Sequence, residues 1–192
     1  MELHRLGFKF YAKDANGIDI LKCIPVFHRW IQSNVLTDML LDVADYSHVP
    51  AGPGVLLVAH EGNYGFDETG RRRGVVYYAK RPLPGDLGER LATICRKTLL
   101  AAKQLQDEPE FRDELRIGGS ELQIFANDRL TAPNAEETLQ ALQPSLRALL
   151  ERLYAGTGYT LERESDPKER FSVTVSAEQS VAVETLLERL AA

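Results

Sequence analysis

Apolar and polar residues alternate from position 3 to 13. Leu6, Phe8, Phe10 and Ala12 fall on one side and Arg5, Lys9 and Tyr11 on the other. This is the two-residue period of a half-buried strand. Asp14-Ala15-Asn16-Gly17 reads as a turn. The period then lengthens. Val26, Phe27, Trp30 and Ile31 mark the apolar stripe of a helix that restarts at Pro25, a residue suited to a first helical position. Strands are expected near 40–47, 54–64 and 74–80. The connection from Val49 to Gly54 is short and rich in proline and glycine, which predicts an antiparallel pair. The second connection, Asp67 to Gly74, reads as a solvated hairpin tip whose two acids and three arginines partly neutralise one another. Asp86 and Glu89 have the spacing of a capping box. They open a helix with Leu87, Leu91, Ile94, Cys95, Thr98, Ala102 and Leu105 on one face.

The second half repeats this alternation of periods. Gly118-Gly119 leads into a strand near 120–126. Asn134 and Glu137 open a helix that runs to about Tyr154, with Leu139, Leu142, Leu146, Leu149, Leu150 and Leu153 on its packing face. Pro144 is expected to kink or split it, because proline removes a helix hydrogen bond. Gly156 marks the stop. Strands near 158–164 and 170–176 are joined around Asp166-Pro167. Ser176 and Gln179 have capping-box spacing before a last helix carrying Val181, Val183, Leu186, Leu187 and Leu190.

These elements predict an α+β fold with a mixed or mainly antiparallel sheet and packed helices. The order suggests two ferredoxin-like or strand-helix-strand-strand-helix halves, without a residue-by-residue repeat. The charged segment 107–118 divides residues 1–106 from 119–192, unless the two form one continuous domain.

With 192 residues the chain is long enough to bury a substantial core. Its net charge of −5 argues against a nonspecific nucleic-acid binder. No apolar run approaches the length of a membrane span. The first thirteen residues read as a strand and not as a secretory signal, so the expected location is cytoplasmic. Cys23 and Cys95 form no CxxC pair and no zinc-ligand spacing. Cys95 reads as a small buried hydrophobe on its helix.

Residues 42–80 concentrate the candidate chemistry. Asp42, Tyr46, His48, His60, Glu61, Tyr78 and Lys80 interrupt three strongly apolar strands. Glu61 is the expected general base and His60 a proton shuttle. Asp42, Tyr46, His48, Tyr78 and Lys80 are the expected substrate-binding groups, with Lys80 suited to an anion. The register decides the pairing. A turn centred near Ala51 and Gly52 sets Asp42 across from Glu61, and a one-residue slip sets it across from His60. Asp42, His48, His60 and Glu61 supply donors for a divalent metal, but their spacing matches no metal motif and no metal is assigned. No cofactor is assigned. Arg71-Arg72-Arg73 is suited to a phosphate or an acidic partner, yet Asp67 and Glu68 lie beside it.

Two functions follow. The first is a soluble protein that binds a small polar or anionic metabolite, extending to acid–base catalysis on it. The second is a noncatalytic homo-oligomeric or partner-binding α+β module. Nucleic acid and membrane are not expected partners.

Overall fold

The fold, described for residues 3–191 of a computed structural model, is built on one eight-stranded antiparallel sheet and four α-helices. The first half contributes β1 (Leu6–Lys13), α1 (Cys23–Ser33), β2 (Leu40–Tyr46), β3 (Gly54–Ala59), β4 (Gly62–Asp67), β5 (Gly74–Ala79) and α2 (Leu87–Asp107). The second contributes β6 (Arg116–Ala126), α3 (Glu136–Tyr154), β7 (Tyr159–Arg163), β8 (Ser172–Ala177) and α4 (Val183–Ala191). The spatial order is β2-β3-β4-β5-β1-β6-β8-β7.

Each half begins with a strand and a helix. A meander then returns to lie beside that first strand, and a second helix follows. The halves meet where β1 pairs with β6, so the sheet runs through without a break. Neither half contains a complete ferredoxin-like set of strands. In the second half β8 lies between β6 and β7, the split β-α-β arrangement. The position beyond β6 is filled by β1 from the other half.

Strand alternation divides the sheet into two unlike faces. Leu6, Phe8 and Phe10 of β1 join Val55, Leu57, Tyr64, Phe66, Val75, Tyr77, Leu122, Ile124, Val173 and Val175 in one continuous core with the buried residues of all four helices. Among the described residues, the four helices pack on this face and leave the opposite one without a helix. The segment between α2 and β6 is no loose linker, because Phe111 and Leu115 are fully buried. Phe111 lies 6.5 Å from Phe66, ring centre to ring centre.

Several elements differ from the sequence expectation. The run 54–64 is two antiparallel strands, turned at His60-Glu61, since Val58 pairs with Asn63. Pro144 is accommodated inside an uninterrupted α3. Asn134 does not cap that helix. Ala135 occupies the cap, and the Asn134 amide donates instead to the carbonyls of Glu164 and Asp166. Ser176 stays in β8, paired with Glu121, and α4 begins seven residues later.

Candidate functional site

The open face carries a cluster of charged and polar side chains around Lys9. Lys9 sits on β1, near the middle of the sheet, and points away from the helices with its side chain 2% exposed. It forms an ion pair with Asp67 of β4. Gly74 of β5 lies between them. A Cβ there would stand 2.4 Å from the Phe10 carbonyl oxygen, a backbone clash that reserves the position for glycine, and 3.1 Å from Lys9 Cε. Lys9 Nζ also donates to the Thr69 carbonyl at 3.2 Å. Asp67 accepts from the Thr69 hydroxyl at 2.7 Å and the Thr69 amide at 3.2 Å. Burial pulls Lys9 below the usual lysine range, while Asp67 opposes that shift. Removing one partner of such a pair costs about 3–5 kcal/mol, because the other charge stays buried.

Two guanidinium groups flank this pair, each on an aromatic ring. Arg72 Cζ lies 3.8 Å from the centre of the Tyr11 ring. Its two terminal nitrogens donate to Glu121 at 2.8 and 2.6 Å. Arg170 Cζ lies 3.7 Å from the centre of the Phe125 ring. This stack depends on Gly7, where a Cβ would come within 2.4 Å of Phe125 and 2.7 Å of Tyr78. Phe125 thereby lies across β1 and offers a flat support. Arg170 differs from Arg72 in having no carboxylate partner among the described residues. Its one side-chain hydrogen bond there runs from Nη1 to Asn127 Oδ1, at 2.9 Å. Burial lowers its pKa, and Asp67 partly offsets the effect.

A cavity of about 480 Å³ opens between these groups. Tyr11, Arg72, Gln123, Ser172 and Thr174 form its floor, and Thr69 and Gly70 one wall. Glu164, Glu169 and Arg170, from the loop joining β7 to β8, form the other. The loop is fastened by Asn134 and by Arg163, whose Nη1 donates to the Glu164 carbonyl at 3.0 Å. The volume falls in the range of small-molecule sites, and the lining mixes cations, hydroxyls and carboxylates.

The seven residues singled out in the sequence do not converge. Asp42 pairs with Val58, so both expected registers are replaced, because the chain has already turned at His60. Asp42 is exposed and its carboxylate accepts from the Val43 amide. Tyr46 and His48 lie at one end of the β2–β3 hairpin and His60 and Glu61 at the other, since Tyr46 pairs with Gly54 and Leu40 with Ala59. A strand of this length separates them by roughly 20 Å. His48 and His60 are exposed. The four donors weighed for a metal are therefore spread over both ends of the hairpin. Tyr78 does belong to the open face. It accepts from Asn63 Nδ2 at 2.8 Å and its ring centre lies 6.3 Å from that of Phe125. With Lys80, Arg5 and Asn127 it lines a neighbouring hollow of about 330 Å³.

Glu61 belongs to a separate polar corner on the helix side. There Asp38 accepts from the Tyr64 hydroxyl at 3.0 Å and pairs with Lys97 of α2. Lys97 Nζ lies 5.2 Å from the centre of the Tyr77 ring. The Tyr77 hydroxyl and Glu61 Oε2 are buried without a hydrogen-bond partner among the described residues. Burial first, then the Asp38 charge, raises the pKa of both tyrosines well above the ordinary phenol value.

Comparison with protein-family models, curated proteins and solved structures gave no match.

Proposed function

We propose that the protein binds a small polar or anionic ligand in the cavity on the open face of its sheet. Arg170 carries this reading: a half-buried guanidinium, stacked on Phe125, lines the cavity without a salt bridge to a carboxylate among the described residues. Partial desolvation makes such a charge favour a partner, and an anion completes the arginine's donor set. Ser172 and Thr174 supply hydroxyls for the remaining oxygens. Titration with inorganic phosphate, followed by calorimetry and backbone NMR, tests the reading. Saturable binding should perturb residues 69–72 and 170–174. Arg170→Met should abolish it, and Arg170→Lys should weaken it about tenfold, because lysine keeps the charge and loses the planar fork. Unchanged binding in a folded Arg170→Met protein would remove the proposal.

A second reading, self-association or partner binding, draws on the edge strand β2. Met39 and Leu41 are 64% and 51% exposed, and Tyr46 and Val49 continue the exposed apolar strip. An uncovered edge of this kind invites strand pairing. Light scattering over a hundredfold concentration range should then show mass growth that Leu41→Lys suppresses. A constant monomer mass would discard self-association.

A further inference from the structure

The cavity that holds Arg170 also holds two carboxylates, and this narrows the ligand class. Glu164 and Glu169 line the same space from the same loop. Neither forms a salt bridge among the described residues, with Arg170 or with any other cation. The other charges at the site are already matched, Lys9 with Asp67 and Arg72 with Glu121. What is left around one volume is one cation and two anions without a salt bridge, although the Glu169 charge already acts on Arg170 from a distance. A simple anion would satisfy Arg170 and meet repulsion from both glutamates.

Resting on the anion-binding reading above, we infer that the ligand is a zwitterion: an acid group for Arg170 and an ammonium group for Glu164 and Glu169. The fastening of the loop supports this assignment. Arg163 and Asn134 hold the Glu164 backbone in place, and one Glu164 side-chain oxygen accepts from the Asp166 amide at 3.0 Å. Glu164 is thus placed before any ligand arrives. Glu169 is the outer carboxylate, exposed at the mouth and adjacent in sequence to Arg170. The charge pattern selects amino-acid-like compounds over plain carboxylates. It selects equally against diamines, which lack the group that Arg170 requires.

Three probes of one carbon count test the inference by calorimetry on the full chain: hexanoate, 2-aminohexanoate and 6-aminohexanoate. At least one amino acid should bind about tenfold more tightly than hexanoate, the gain of a charge-assisted contact. The two differ in where the ammonium sits, so the tighter one reports the spacing between the sites. In the Glu164→Gln/Glu169→Gln double variant the advantage should fall to within about twofold, with hexanoate affinity unchanged or improved. Arg170→Met should lose all three. An absent amine advantage, or one that survives the double variant, would overturn the zwitterion while leaving anion binding intact. Failure of phosphate and of all three probes to bind the wild-type chain would overturn both readings together.

Discussion

Tyr64 and Tyr77 lie with ring centres 4.6 Å apart, yet only the Tyr64 hydroxyl reaches Asp38 with hydrogen-bond geometry, while that of Tyr77 feels the same carboxylate without a formed bond. Their removal should therefore differ in sign. Tyr77→Phe should leave stability unchanged or raise it by about 1 kcal/mol, since it deletes an unsatisfied buried group. Tyr64→Phe should lower it by about 1–2 kcal/mol, because Asp38 loses a donor. Urea unfolding of the two variants checks this, and equal losses would contradict it. Proton linkage gives a second expectation. Burial raises the pKa of Cys23, Cys95, Tyr64 and Tyr77 in the folded state. The unfolded chain sheds these protons first, so their contribution is complete below about pH 8.5 and declines as pH rises beyond it. Lys9 acts in the opposite sense, because its folded pKa is lowered. Burial raises Tyr11, Tyr78 and Tyr154 in the same way, so the buried thiols and phenols outnumber Lys9 and the urea midpoint should fall between pH 8.5 and 10; a flat profile would refute the balance. At this scale the sequence was informative about burial and nearly silent about the cavity. Cys95 reads correctly as core from its helical spacing. Arg170 gives no local signal, because the Phe125 that supports it lies 45 positions away and Gly7, which makes room for that ring, farther still.

Elements were most legible where a local chemical signal marks their ends. Asp86 and Glu89 form the reciprocal capping box that their spacing suggested, with both bonds at 2.9 Å. Asp86→Ala should therefore cost about 1 kcal/mol through α2, measurable as a lower thermal midpoint. A change under about 0.3 kcal/mol would mean that packing alone fixes that helix start. The β3–β4 hairpin was missed for the converse reason. His60-Glu61 contains neither the glycine nor the asparagine that marks tight turns, and the apolar strand before it continues into Tyr64 and Phe66. One unseen turn displaced Asp42 from both acid–base candidates. Pro144 shows the limit of a local rule. It does not split α3, which continues past it with Leu142 and Leu146 on either side fully buried.

For the whole molecule, the α+β class follows from the alternating periods, but the joining of the halves does not. No pattern in β1 indicates that its second neighbour is β6, and the charged segment between α2 and β6 suggested a boundary. Its Phe111 and Leu115 anchor that segment in the core. A sheet shared in this way should unfold as one unit. Trp30, the single tryptophan, is 1% exposed on α1 and reports on the first half. Its fluorescence and the far-ultraviolet circular dichroism of the whole chain should give coincident urea curves. Separated midpoints would show two independently stable units. The central place of β1 also bears on synthesis. This strand leaves the ribosome well before either neighbour exists, since its partners lie at 74–78 and 116–126. Loop closure over such distances slows folding. Until those partners are made, Leu6, Phe8 and Phe10 have no sheet to join, so the nascent chain carries a stretch of sticky strand in search of cover. The strand that later unites the molecule is thus, during translation, a natural target for a chaperone.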